Sequence, residues 1–265
     1  MHNNRRLVQV NPEQEIMQNP FTLENKTILV TGASSGIGRG IAIACAGMGA
    51  RVILTARNQV RLQETLSFLE GDKHVVIPAD LTDDTQRHAL VEQVPSLDGF
   101  VQCAGVMNRV PCKSVGKDDI DSVFMPNVEA PMLLQAELLQ ERKINKEASI
   151  VYIASIAARS AVAGNALYSA SKAALISYAK CLALELAPRK IRVNCICPAM
   201  VWTDLALVGA TKEELEADQL KYPLKRYGTP EDIANLSIYL LSDASCWMTG
   251  SCVEITGGGN ELKMK

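Results

Sequence analysis

Tyr168 and Lys172 stand four residues apart in a segment with helical patterning, so the two side chains share one face. A phenol ordinarily titrates near pH ~10 and exchanges its proton poorly at neutral pH. A neighbouring ammonium stabilises the phenolate. Lowering the pKa by two to three units takes roughly 3–4 kcal/mol of differential stabilisation, within reach of one lysine helped by a second cation. Tyr168 is therefore a candidate for passing a proton to and from an oxygen. Ser155, thirteen residues earlier, ends a strand pattern, and its hydroxyl can hold that same oxygen.

A second group of residues reads as an anion cradle. Gly32, Gly36 and Gly38 follow the short apolar run 27–30 and open a helical stretch. Such a turn brings backbone close to a pyrophosphate, and the helix N-terminus offers free N–H groups and the positive end of a dipole. Ser34 and Ser35 add hydroxyls. At the end of the second strand, an acid that would accept from adenosine ribose hydroxyls is replaced by Ala56, followed by Arg57. A guanidinium suits a 2′-phosphate, which an acid would repel. The pattern predicts NADP(H) over NAD(H).

The elements that must position these groups alternate. Strand-like apolar runs at 27–30, 51–55, 74–78, 99–102, 149–153, 192–196 and 252–255 are separated by helical patterns, including long ones at about 118–140 and 167–187. This rhythm predicts βαβ units and a parallel sheet. The strand runs are continuously aliphatic, as in strands buried on both faces. The expected fold is α/β: one doubly wound, Rossmann-type domain over 24–265, with helices on both faces and a polar arm at 1–23. The charged segment 203–230 has no strand pattern and predicts one or two helices over the ligand-binding edge of the sheet.

Composition narrows the function classes. A chain of 265 residues buries enough apolar surface to need neither disulfides nor metals. A net charge of −2 without a basic tract predicts no nucleic-acid partner. No signal peptide or spanning segment is read, so the expectation is a cytoplasmic protein with no membrane role. Eight cysteines form no C-x-x-C pair and three histidines are scattered, so no metal is predicted and the cysteines read as buried thiols.

Taken in order over 24–260, these pieces resemble the short-chain dehydrogenase/reductase family. The matching residues are the turn 31–38, Asp80, Ala104-Gly105, Asn127, Ser155, Tyr168 with Lys172, and the run 192–194, extended by Pro198, Thr203 and the glycine pair 257–258. The resemblance implies hydride transfer between nicotinamide and a carbonyl or secondary alcohol. It makes Tyr168 the general acid for reduction and the base for oxidation, with Ser155 polarising the carbonyl. Lys172 then binds the nicotinamide ribose and tunes Tyr168, and Asn127 anchors a water in the relay to the lysine. The cofactor contacts it implies are Gly32, Ser34, Ser35, Gly36, Ile37, Gly38, Arg57, Asp80, Leu81, Ala104, Gly105, Tyr168, Lys172, Pro198, Val201 and Thr203. It also implies a homotetramer packed through the two long helices and the C-terminal segment.

Three departures from the family's pattern bear on these expectations. Pro126 biases Met125 away from helix, so the backbone before Asn127 should differ. Cys103 replaces an amide that commonly braces the sheet. Ala199 replaces a glycine after the sixth strand, where a positive φ would be strained. Among relatives the chain looks most like 3-oxoacyl-carrier-protein reductases, with Arg189 and Lys146 at basic positions those enzymes use near the acidic carrier protein. Reductases of sugars, steroids or small ketones share the pattern. A non-catalytic NADP(H)-binding sensor is the other class, and an epimerase or dehydratase a weaker one.

Overall fold

The computed structural model describes residues 19–259, so most of the expected arm lies outside the described residues. Seven strands form one wholly parallel sheet: β1 (Thr27–Thr31), β2 (Arg51–Thr55), β3 (Val75–Val76), β4 (Leu97–Gln102), β5 (Ile144–Ile153), β6 (Arg192–Pro198) and β7 (Cys252–Ile255). Their spatial order is β3-β2-β1-β4-β5-β6-β7. The order reverses between β1 and β4, and the carboxyl ends there are where open α/β sheets bind ligands.

Alternate residues of each strand enter different cores. Leu29, Ile53, Phe100 and Ile150 pack against α3 (Asp84–Gln93), α5 (Ala130–Gln140) and α6 (Ala166–Leu186). Their neighbours Val30, Leu54, Val101 and Val151 pack against α1 (Gly36–Gly47), α2 (Gln59–Ser67) and α8 (Pro230–Leu241). Both faces are covered, which is why the strands read as unbroken aliphatic runs.

The expected strands are present with shifted bounds. The third is only two residues long, and the fifth starts five residues before the expected Ser149. The helix expected at 118–140 is interrupted. α4 (Lys117–Phe124) passes into a π turn, Met125–Glu129, before α5. Met125 is helical, with φ −57° and ψ −57°, so Pro126 does not push it into extended backbone. The wider turn carries the proline: the Ala130 N–H reaches back five residues to the Met125 carbonyl.

α8 was not anticipated. It starts at Thr229, whose side chain accepts from the Asp232 N–H while Asp232 accepts from the Thr229 N–H, with Pro230 in the first turn. The excursion after β6 holds a 3₁₀ turn, Asp204–Leu207, and α7 (Lys212–Gln219). Ala206, Leu215 and Tyr227 make a small apolar cluster that holds it together. Cys45, Cys195 and Cys197 are buried, but Cys112, Cys181 and Cys246 are exposed, contrary to the reading of the cysteines as core thiols. No helix among the described residues is long and apolar enough to cross a membrane.

Candidate active site

The loops leaving β1, β2, β4, β5 and β6 surround one cavity of about 1180 Å³. Every residue expected to contact the cofactor lines it, as does Ser155. Asn127 does not.

The glycine turn forms one end of the cavity. Gly32 has φ +66°, and a Cβ there would stand 3.0 Å from the backbone of Ala104. Gly36 has φ +52° and faces Thr203, whose Cγ2 lies 3.0 Å from a Cβ position. Gly38 begins the first helical turn pressed against the Gly32 carbonyl, with only 2.3 Å for a Cβ. Ser35 is the N-cap of α1, yet its side chain makes no capping bond and the first turn holds no acid. The N-terminus of α1 thus keeps its positive end for an outside anion.

Arg57 lines the cavity beside Asp80. Burial acts to raise the Asp80 pKa, but hydrogen bonds from the Thr82 hydroxyl (2.7 Å) and N–H (3.0 Å), with the charge of Arg57, hold it below its usual range. Arg61, not expected at the site, also lines the cavity and meets Asp204 at 3.3 Å.

The chemical end sits where β5 leads into α6. Ser155 follows β5 in extended backbone, and its Oγ accepts from the Ala157 N–H at 3.1 Å. The Ser155 side chain is close enough to the Tyr168 phenol to act on its pKa, in the lowering direction. Lys172 is 4% exposed; its Nζ donates to the Ile153 carbonyl at 2.9 Å and lies 5.7 Å from the Tyr168 ring centre. Burial holds the Lys172 pKa below its usual value. Burial likewise pushes the Tyr168 phenol up to about 12, against the lowering effect of Ser155. The expected depression of the phenol by its lysine is not what this arrangement produces. Desolvation of the phenolate wins, and the group stays protonated at neutral pH.

Asn127 is fully buried in the π turn. Its Oδ1 accepts from the Val106 N–H at 2.7 Å, and its Nδ2 donates to the Val106 carbonyl at 2.9 Å and to Ser171 Oγ at 3.0 Å. It ties the loop after β4 to α6. Cys103 does not brace the sheet by its side chain. Thr31 does this instead: its Oγ1 accepts from the N–H groups of Cys103 (3.0 Å) and Ala104 (3.1 Å) and donates to Gln102 Oε1 at 2.6 Å. Ala199 escapes the expected strain, since its φ is not positive, and its N–H donates to the Ile255 carbonyl at 3.0 Å.

Arg189 and Lys146 are not at the cavity. Lys146 is exposed in the amino-terminal half of β5, and Arg189 donates to the carbonyl of Ile144, the first residue of that strand. Both lie toward the end of the sheet away from Ser155. Residues that sequence reasoning missed include Arg61, Arg109 and Asn165, all lining the cavity. Only Asn165 carried a signal, as an N-cap type immediately before a long helical pattern.

Comparison with known proteins agrees with this architecture. A family profile described as enoyl-(acyl carrier protein) reductase matches residues 32–260. The chain is 34% identical over 236 residues to the 3-oxoacyl-[acyl-carrier-protein] reductase FabG of Rickettsia felis, covering 89% of this chain and 97% of that one. It is 32% identical over 245 residues to the L-xylulose reductase of Caenorhabditis elegans, covering 90% and 97%. A dehydrogenase/reductase from Sinorhizobium meliloti superposes with a TM-score of 0.84 at 34% identity, covering 91% of this chain and 97% of the other. With this coverage, sheet order and cavity, the chain belongs to the short-chain dehydrogenase/reductase family of oxidoreductases.

Proposed function

We propose that the protein is an NADP(H)-dependent reductase of a carbonyl compound, a 3-oxoacyl thioester being one candidate substrate. The observation that carries this reading is the Ser155–Tyr168–Lys172 group, which opens into the same cavity as the glycine turn. The cradle fits the cofactor: glycine at 32, 36 and 38 lets the turn close tightly against Ala104, Thr203 and its own carbonyl, where a Cβ would collide, and α1 presents an uncapped N-terminus. Gly32, Ser34, Ser35, Gly36, Ile37 and Gly38 would hold the pyrophosphate. Arg57 would take the 2′-phosphate, and Asp80 and Leu81 would flank the adenine. Ala104, Gly105, Lys172, Pro198, Val201 and Thr203 would hold the nicotinamide half. When bound, the dihydronicotinamide supplies the hydride.

The chain's own residues supply the rest. Ser155 holds the carbonyl oxygen and strengthens its hydrogen bond as that oxygen gains charge. Tyr168, protonated at neutral pH, delivers its proton to the same oxygen. The carbonyl is thereby converted to an alcohol with one hydride and one proton accounted for. Lys172, fixed by Ile153, orients the ribose and supports the phenolate left behind. Asn127 acts as a positioning residue, because its side chain is committed to Val106 and Ser171. Oxidation of an alcohol runs the same groups backwards and must first remove the proton that burial favours.

The reading extends to domain and assembly. One domain spans 24–265, and four copies form a homotetramer. Trp247, 99% exposed, and Leu184, 79% exposed, support burial of the β7 side against another copy. We place its action in the cytoplasm, a reducing compartment in which eight cysteines remain thiols. Carrier-bound substrate is favoured by the FabG relatives, while the L-xylulose reductase relative favours a small polyol or ketose. Offering purified protein NADPH with acetoacetyl thioesters, xylulose and activated ketones tests the reading. NADPH oxidation with at least one of them is expected. NADPH binding with no oxidation by any would instead favour a sensor.

A further inference from the structure

The cavity carries an unpartnered cation at each end, and the cofactor accounts for only one. Arg57, Arg61 and Arg109 line it, and Arg61 is engaged by Asp204. Among the described residues, Arg57 and Arg109 make no hydrogen bond or ion pair. Arg57 belongs to the nucleotide end, beside Asp80. Arg109 stands on the loop after β4, next to the turns at Gly164 and Gly209.

Its stem is held in place. A Cβ on Gly209 would lie 3.3 Å from Arg109 Cδ, and one on Gly164 would lie 4.0 Å from its Cβ. Both glycines have left-handed backbone, φ +76° and +78°. The Val110 N–H donates to the Gly164 carbonyl at 2.9 Å, tying the arginine's loop to the turn before α6. The turn at Gly209 flanks the side chain from Cδ to the guanidinium, whose Nε and Nη1 stand 3.7 and 3.8 Å from a Cβ position there, and Arg109 lines the cavity as an exposed residue.

No carboxylate pairs with it among the described residues. Of the acids that line the cavity, Glu214 and Asp218 are engaged elsewhere. Glu214 accepts from the Thr211 N–H at 2.8 Å, and Asp218 accepts from the Tyr227 hydroxyl at 2.6 Å and pairs with Lys221 at 3.1 Å. Asn165, next to Gly164 and 9% exposed, lines the cavity with an Oδ1 that has no partner among the described residues. The rest of this wall is apolar, with Met107, Val162, Leu205 and Leu215.

We infer that Arg109 is a specificity-determining residue that binds an anionic oxygen group of the substrate, so that the preferred carbonyl compound is apolar in the middle and anionic at its outer end. The inference rests on the substrate site proposed above. Two sources share this chemistry: the carboxylate of a free oxo acid, and the phosphate of a phosphopantetheine arm.

Calorimetry on the NADP⁺-loaded protein separates them without requiring turnover. Hexanoate is compared with hexanamide, and 4′-phosphopantetheine with pantetheine, each on wild type, Arg109→Gln and Arg109→Lys. Wild type should bind at least one anion more tightly than its neutral partner. Arg109→Gln should lower that preference by roughly 10- to 100-fold, the range of a charge-assisted hydrogen bond, and Arg109→Lys should restore part of it. Loss confined to hexanoate identifies a free acid as the source, and loss confined to phosphopantetheine identifies the arm. An anion preference that is absent in wild type, or unchanged within twofold in Arg109→Gln, overturns the inference. Ketone reduction in wild type is scored separately: if it is absent while the Arg109-dependent preference is present, the reductase reading falls and the anion site stands.

Discussion

Gly38 and Gly47 both belong to α1, and alanine should have opposite effects at the two. A Cβ on Gly38 would lie 2.3 Å from the Gly32 carbonyl oxygen and 2.7 Å from its carbon, whereas ordinary contact begins at 3.4 Å. The turn must therefore open by about 1 Å to admit one methyl group. Alanine returns about 0.8–1.0 kcal/mol of helix propensity, while overpacking costs typically about 1–3 kcal/mol. The balance is a loss of up to about 2 kcal/mol, or a fall in Tm of up to roughly 8 °C for a chain of this size. Cofactor binding should suffer more, because the N–H groups of α1 move with the turn. NADPH affinity should fall at least about tenfold, more than 1.4 kcal/mol. A Cβ on Gly47 meets nothing within 4 Å, so Gly47→Ala should keep NADPH affinity and gain up to about 1 kcal/mol. Thermal melts and NADPH fluorescence titrations read both quantities. Wild-type NADPH affinity in Gly38→Ala would refute the assignment of this turn to the pyrophosphate.

The Tyr168 phenol, pushed up to about 12 by burial, keeps its proton far above neutrality. Carbonyl reduction should thus be flat in kcat/KM between about pH 6 and 9, and alcohol oxidation should rise with pH over the same range; a reduction rate that falls through pH 7 contradicts this. Arg57→Ala should narrow the gap between NADPH and NADH binding by about 1–3 kcal/mol, and equal wild-type affinity for the two cofactors sinks the 2′-phosphate assignment. Light scattering at micromolar concentration should give the mass of a tetramer. A monomer would leave Trp247, 99% exposed, without a reason.

Much of this was legible in the residues because the strong signals are local. A glycine turn between strand and helix constrains only its own neighbourhood, and Tyr168 with Lys172 needs only helical spacing. Strands buried on both faces announce themselves as aliphatic runs. What was missed depends on contacts between distant segments, or on weighing two local signals. Pro126 reads as a helix breaker until a π turn supplies a backbone that needs no N–H from it. α8 had its start written in Thr229, Pro230 and Asp232, but the charged stretch before it masked the change of pattern. The phenol's protonation turns on desolvation, which spacing does not express. Arg109 gains its place from Gly164 and Gly209, two turns far away in the chain. Arg189 and Lys146 looked like a docking pair by position, yet lie away from the cavity of their own chain.

The central claim is that Tyr168 hands the proton to the substrate oxygen, and Tyr168→Phe tests it most directly. The substitution removes one hydroxyl and keeps the ring that packs beside Lys172. With a ketone that wild type reduces, single-turnover NADPH oxidation should slow by roughly 100- to 10,000-fold while NADPH affinity stays within about twofold. A Tyr168→Phe protein that reduces the ketone at a near-normal rate would place the proton donor elsewhere and contradict the mechanism.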